Sequence, residues 1–362
     1  MPRTILSRLV IACVLVPALA HPVRAFAAAS SAGAGPQDAQ TDTAVPAKKE
    51  NDRPVESSLL KRPVLWKEQD TISSLDLYLG QGGEKHLPAP PFTFVAEGKN
   101  GTNPKFDVTD ANGTGWRCKL GDEARPEVVA SRLLWAVGYY VNDDYLLPRA
   151  QVQKIHLKRG GDQVKGDRVE NVRFARKPAH EKKVGTWEWK ANPFYGTREF
   201  NGLRVMMAVM NNWDLKDENN SVYQDSKSGA QIFLINDVGA TFGSNGLAFS
   251  KARAKGNIDS FKGSKFITRV NGDTVDFATP SAPTSVLLLS VGTNVGYYTK
   301  RKALEWIGRD IPVQDARWMG SILSQLSHQQ LFDAFRAGNF PIEAINDYVS
   351  VVEDRIQELK SL

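Results

Sequence analysis

An α+β fold, a small β-rich lobe followed by a larger and mainly helical one, is what the order of local signals in this 362-residue chain predicts. Three observations carry that expectation. From Phe92 the short alternating runs FTFVAE, KFDVTD and WRCKLG are separated by Gly98-Lys99-Asn100-Gly101 and Asn112-Gly113-Thr114-Gly115, the spacing of an antiparallel meander. A helix signal follows directly, and two further strand candidates come after it. From about Pro283 the chain carries apolar residues at intervals of three and four, so helices dominate its end.

The first segment, MPRTILSRLVIACVLVPALA, places Arg3 and Arg8 before an apolar run. Small-residue cleavage sites follow at Ala18-Leu19-Ala20 or Val23-Arg24-Ala25. This predicts a secretory signal peptide over residues 1–25, too short for a membrane span. A secreted or periplasmic protein with no transmembrane segment in the mature chain is therefore expected. Val10-Ile11-Ala12 before Cys13 is similar to a lipidation box, but Arg8 lies so close upstream that simple cleavage is favoured over lipoprotein anchoring. Residues 26–58 have hardly a large apolar side chain after Phe26 and read as a disordered linker, which puts the start of the fold near Leu59. With Cys13 removed, Cys118 is the one remaining cysteine. It can form no internal disulfide and reads as a small buried strand residue.

The apolar fraction of 41% is enough for a sizeable core. The net charge of +6 permits anionic partners, yet Lys and Arg are scattered rather than gathered into a stripe, so no nucleic-acid partner is expected.

Asp122-Glu123-Ala124-Arg125-Pro126 predicts a capped helix start with proline in the first turn, leading into EVVASRLLWAVG and ending at Gly138. Val129, Leu133, Ala136 and Val137 share one face of it. The next strands are RAQVQKIHL and RVENVRFARK. After TWEWKANPF, the segment REFNGLRVMMAVM reads as a helix running into NNWDLKDENN, residues 211–220. The strand pair SVYQD and AQIFLIN then ends at Asp237-Val238-Gly239, and ARWMGSILSQLS, HQQLFDAFRAG and PIEAINDYVSVVEDRIQELKSL are the C-terminal helices. The two lobes are set at residues 59–178 and 179–362.

Asp214 and Asn219 stand five residues apart, and Asp237 follows Asp214 by 23. Phosphoryl transfer needs a carboxylate that accepts or orients a hydroxyl proton, and oxygen ligands that hold magnesium against phosphates. Taken singly, each cluster reads equally well as a turn, with Asp214 a helix cap and Asn219 a turn former.

Asp214-Leu215-Lys216-Asp217-Glu218-Asn219 resembles the catalytic loop of protein kinases, with Asp217 where proline is usual, and Asp237-Val238-Gly239 resembles their metal-binding motif. Asn212-Trp213 replaces the usual His-Arg. That feature, with Asp237-Val238-Gly239-Ala240-Thr241-Phe242-Gly243, is similar to the atypical kinase-like branch, which includes the CotH-type, HipA-type, secretory Golgi casein kinase and lipid kinase families. The resemblance spans roughly residues 90–245. It implies a bilobal kinase-like fold in which Asp214 is the catalytic base, Lys216 meets the γ-phosphate, and Asn219 with Asp237 holds Mg2+ or Mn2+. It also implies that Lys119 clamps the α- and β-phosphates of ATP, held by Glu127, with Glu123 a substitute for Glu127 and Lys105 a rival to Lys119. The Gly98–Gly101 turn would lie over the phosphates.

The implied activity moves the γ-phosphoryl group of ATP to a protein or small-molecule hydroxyl acceptor. Transfer of AMP would use the same ligands. A non-catalytic nucleotide-binding pseudokinase, or a cell-envelope scaffold, is the alternative from another class. Trp187 and Trp189 read as packing between the lobes, with stacking on a base as the second reading. Met206, Met207 and Met210 read as core, His180 as a solvated loop residue, and Arg204 as a second phosphate contact beside Lys216.

Overall fold

The computed structural model describes residues 50–99, 103–178, 180–243, 255–280, 299 and 302–362. The signal segment, most of the linker, Gly101 and the first part of the predicted C-terminal helical run lie outside the described residues.

In chain order the strands of the first half are β1 (Pro63–Val64), β2 (Phe92–Gly98), β3 (Lys105–Thr109) and β4 (Gly115–Lys119), then helix α1 (Ala124–Ala136), then β5 (Asp144–Gln153), β6 (Val164–Lys165) and β7 (Arg168–Arg176). The predicted meander is present, with β2, β3 and β4 antiparallel neighbours. Period-two alternation turns Phe106, Val108, Trp116 and Cys118 inward, all at most 1% exposed. Lys105, Asp107, Arg117 and Lys119 therefore face the other way. β7 pairs with both β4 and β5, and β5 meets β2 in parallel at Phe92 with Val152. Five strands thus close into a ring around an aromatic core that includes Phe92, Trp116 and Phe174.

β5 corrects the expected RAQVQKIHL strand. It begins at Asp144 because its pairing with β7 runs from Asp144 opposite Ala175 to Gln151 opposite Arg168. It ends at Gln153 because Lys154 turns left-handed, with φ of 61°. The start of α1 also differs from expectation. Glu123 occupies the N-cap position without capping through its side chain, whose carboxylate is used elsewhere.

The second half holds β8 (Glu181–Gly185), α2 (Arg198–Val209), β9 (Asn220–Asp225), β10 (Gln231–Ile235), α3 (Ile258–Lys262), β11 (Ile267–Asn271), β12 (Thr274–Phe277) and β13 (Ile311–Pro312). Helices α4 (Val313–Leu323), α5 (His328–Ala337) and α6 (Ile342–Ser361) complete it. The second sheet has the order β1-β10-β9-β8 and the third the order β11-β12-β13. The third sheet was not legible in the sequence, and β13 interrupts a stretch that the periodicity assigns to helix. α2 starts at Thr197, whose hydroxyl accepts from the Phe200 N–H, and α5 starts with a reciprocal capping box of Ser327 and Gln330.

A larger core joins α1, α2 and the C-terminal helices. The predicted face of α1, from Val129 to Val137, packs into it, as do Met206, Met207 and Met210. The packed chain begins before Leu59, which shortens the expected linker. The Val55 N–H bonds Thr186 O at 3.0 Å, the Thr186 N–H bonds Arg53 O at 2.9 Å, and Asp52 pairs with Lys183 at 2.8 Å. No helix among the described residues is long and apolar enough to cross a membrane.

Candidate active site

α2 ends where Asn211 adopts a left-handed φ of 51°, a conformation that asparagine tolerates better than most residues. The Asn211 N–H then reaches Ala208 O at 2.9 Å and the Asn212 N–H reaches Met207 O at 2.8 Å, which satisfies carbonyls at the end of the helix. Asn212 is 1% exposed, and its Oδ1 accepts the Asp214 N–H at 3.1 Å. Two backbone bonds tie this loop to the segment after β10. The Trp213 N–H donates to Ala240 O at 3.3 Å, and the Phe242 N–H to Met210 O at 2.9 Å. The two polar clusters of the sequence are thus one pair of joined loops.

Within the first loop, Lys216 Nζ sits 2.8 Å from the Asp214 carboxylate. Asn219 Nδ2 donates to Asp214 O at 2.8 Å, leaving Oδ1 as the end of that amide that can accept or ligate. Asp217, in the place usual for proline, accepts the Trp189 N–H at 2.8 Å, and burial raises its carboxyl above the ordinary range. In the second loop Asp237 is left-handed, with φ of 53°. Gly239 follows it in close contact with the start of α1. A Cβ there would stand 2.6 Å from Glu123 Cβ, so only glycine lets the loop approach this near.

The cations come from the outer face of the strand ring. Lys105, Lys119 and Arg173 are direct cross-strand partners on β3, β4 and β7. Like charges opposite one another repel, so carboxylates must sit between them. Lys119, fully buried, bonds Glu123 at 2.9 Å, Glu127 at 2.6 Å and the Asp237 carboxylate. Both glutamates that the sequence offered therefore hold it. Lys105 lies 3.6 Å from the other Asp237 oxygen. Arg173 pairs with Glu127 at 3.2 Å and with Asp144 at 3.1 Å, while Lys255 pairs with the second oxygen of Glu123. Four cations face four carboxylates.

Burial alone would raise the Asp237 carboxyl, but Lys119 and Lys105 outweigh it and hold it well below the usual carboxylate range. For Lys119 burial opposes the charge, and Glu127, Asp237 and Glu123 overcome it, so the ammonium is held more firmly than usual. Lys105 moves the other way, lowered by burial and by the neighbouring Lys119.

A cavity of about 580 Å³ opens beside this cluster, and Lys105, Glu127, Arg173, Asn219 and Asp237 all line it. Asp214 and Lys216 line a smaller adjoining recess together with Asn219. Asn219 and Asn236 line both. Gly98 stands opposite Lys105 in the hairpin, with a built Cβ 3.2 Å from that lysine, and Gly101 lies outside the described residues. Arg173, Asp144 and Lys255 escaped the sequence reading. Non-local strand register brings Arg173 on β7 to β4 and Asp144 on β5 to β7, and no local motif marks the third.

Other expectations resolve toward packing. Trp187 and Trp189 are each 2% exposed, meet edge to face at 5.1 Å, and belong to the larger core, so they do not form an open stacking platform. The reading of Arg204 as a phosphate contact is corrected. Its guanidinium bonds the carbonyls of Trp306 and Ile307 at 2.9 Å and that of Arg309, which fastens α2 to the chain before β13. His180 is half-buried, 3.8 Å from Glu181. Cys118 is 0% exposed, and burial pushes its thiol well up, which leaves it inert.

Among the described residues no group of three or more His, Cys, Asp or Glu is arranged to hold a metal by itself. Asn219 and Asp237 offer one amide oxygen and one carboxylate to the same cavity. That donor set fits magnesium, which takes one or two carboxylates and completes its shell with water and substrate phosphates.

No protein-family model and no curated protein matches the chain. Its structure is similar to that of a Helicobacter pylori proinflammatory kinase, CtkA, with a TM-score of 0.42 and 11% identity, covering 76% of this chain and 98% of that one. It is also similar to a Golgi casein kinase, with a TM-score of 0.34 and 10% identity, covering 82% of this chain and 75% of that one.

Proposed function

We propose that this chain is an exported phosphotransferase of the atypical kinase-like kind, using ATP to phosphorylate a protein or small-molecule hydroxyl. The observation that carries the reading is the joining of the Asp214 and Asp237 loops by backbone bonds, with Asn219 and Asp237 lining the same cavity as Lys105 of β3 and Arg173 of β7. Export to a secreted or periplasmic location rests on residues 1–25.

In this reading Asp214 receives the proton of the acceptor hydroxyl, and Lys216, already paired with it, fixes the carboxylate and meets the γ-phosphate. The acceptor oxygen bonds to the γ-phosphorus as the bond to the β–γ bridging oxygen breaks, and ADP departs with that electron pair. Lys119, braced by Glu123 and Glu127, is the cation that would serve the α- and β-phosphates. Asn219 and Asp237 would hold Mg2+ or Mn2+, which neutralises charge on the β- and γ-oxygens.

Thermal unfolding with and without ATP and magnesium tests the reading. A ligand at a hundred times its Kd adds about 2.7 kcal/mol, a rise of several degrees. Wild type should show it and Asp237→Ala should lose most of it. Asp214→Asn should keep the shift while turnover on an added acceptor, or on the protein itself, falls by about 10²-fold or more. Absence of any shift in wild type removes the nucleotide. A shift with no transfer from wild type leaves a binding protein instead of an enzyme.

A further inference from the structure

The resemblance assigns the phosphate clamp to Lys119, but hydrogen-bond capacity at that residue points elsewhere. An ammonium has three donors and no more. Those of Lys119 go to Glu123, Glu127 and Asp237, and its side chain is 0% exposed. It can give a phosphate at most the donor that Asp237 releases. Lys105 stands directly opposite on β3, with one ion pair at 3.6 Å, to the same Asp237 carboxylate, and with 20% of its side chain exposed along the cavity wall.

We infer that Lys105 is a second phosphate-binding cation, and the first to meet an incoming polyphosphate. Asp237 is the pivot of this exchange. With both lysines on it, the carboxylate is satisfied without ligand, and any phosphate that takes its place would gain Lys105 through its 3.6 Å pair and one donor of Lys119. Arg173 completes the row from the far side by bracing Glu127. The ligand class that matches cations on adjacent strands is a chain of linked phosphates. Strands lie about 4.8 Å apart, a span that oxygens on successive phosphate groups can bridge although their phosphorus atoms stand closer together.

This inference rests on the phosphotransferase reading for its biological ligand, so the test uses two probes. Inorganic tripolyphosphate and ATP, each with magnesium, are titrated calorimetrically into the full-length wild type, Lys105→Ala and Lys105→Arg. Loss of a charge-assisted bond predicts that Lys105→Ala weakens tripolyphosphate about ten- to a hundredfold, with Lys105→Arg retaining most of the affinity and all three chains melting within a few degrees of one another. If wild type takes tripolyphosphate but not ATP, Lys105 keeps its role and the ATP reading falls. If Lys105→Ala binds both probes as wild type does, or if Lys105→Arg fails as badly as Lys105→Ala while staying folded, the role of Lys105 is overturned and the ATP reading is untouched. Wild type that binds neither probe overturns both.

Discussion

Asp237 concentrates the electrostatic tension of the site in one side chain. Its backbone is left-handed, its carboxylate takes Lys119 on one oxygen and Lys105 on the other, and the glycine two residues on keeps the loop against α1. Because the folded protein holds this carboxyl below its unfolded value of about 3.9, its contribution to stability is complete above that pH and is lost as acid titrates the folded state. Asp237→Asn should therefore lower stability near neutrality by about 2 kcal/mol. The gap to wild type should narrow once the pH falls below about 4, since there the unfolded chain takes a proton that the folded one refuses. Denaturant midpoints at several pH values check this. A gap of constant size would mean that the charge of Asp237 is not what binds the two loops to the lysines.

At the scale of elements, the candidate catalytic loop depends on a helix far from it in sequence. Arg355 on α6 is 3% exposed and donates to the carbonyls of Ala208 at 3.0 Å and Val209 at 2.9 Å, the last turn of α2 before Asn211. It also donates to Ser264 Oγ at 2.7 Å. A cation at a helix C-terminus is favourable, and it adds a donor to Ala208 O, which already accepts the Asn211 N–H, and to Val209 O at the last helical residue. Burial lowers the guanidinium to about 10 against a weaker opposite pull from Glu358, so it remains charged at neutral pH. Arg355→Met keeps the apolar bulk and removes the charged donor from both carbonyls, at a cost of about 1–3 kcal/mol. Turnover should fall beyond what the stability loss explains, because Asp214 follows directly from that turn. A variant with reduced melting temperature but full activity would show that α2 ends correctly without the cap.

Local motifs were legible in the sequence, whereas strand register and distant packing were not. Asp214, Asn219, Asp237 and the pairing of Lys119 with Glu127 were legible because each lies within a short motif, or at a strand end followed at once by a helix. Lys105 was visible only as a rival, because its worth depends on strand register, and Arg173 was invisible for the same reason. Arg204 was misread because a helix pattern does not say which carbonyls will approach it from residues a hundred positions away. The hairpin of β11 and β12 escaped because its two strands are short and carry little apolar alternation.

For the whole molecule, the site draws on both cores. Lys105, Lys119 and Arg173 project from the ring of strands, whereas Asp214, Asn219 and Asp237 belong to loops fastened to the larger core by α2 and β10. A ligand held by both sets must resist their separation, and α1 takes part in each, giving Glu127 to the cations and its apolar face to the larger core. Cys118 offers a probe of this coupling. It lies next to Lys119 on β4, turned into the ring core, and in a Cys13→Ser chain it is the one thiol. Modification by a thiol reagent requires the ring to open, so the labelling rate under native conditions reports the population of that open state. ATP with magnesium at a hundred times its Kd should slow labelling by about a hundredfold if the closed ring is needed for binding. Lys105→Ala should lose most of that protection under the same nucleotide concentration. Labelling that is unaffected by a nucleotide that raises the melting temperature would place the ligand on the larger core alone, with the ring of strands contributing nothing to its binding.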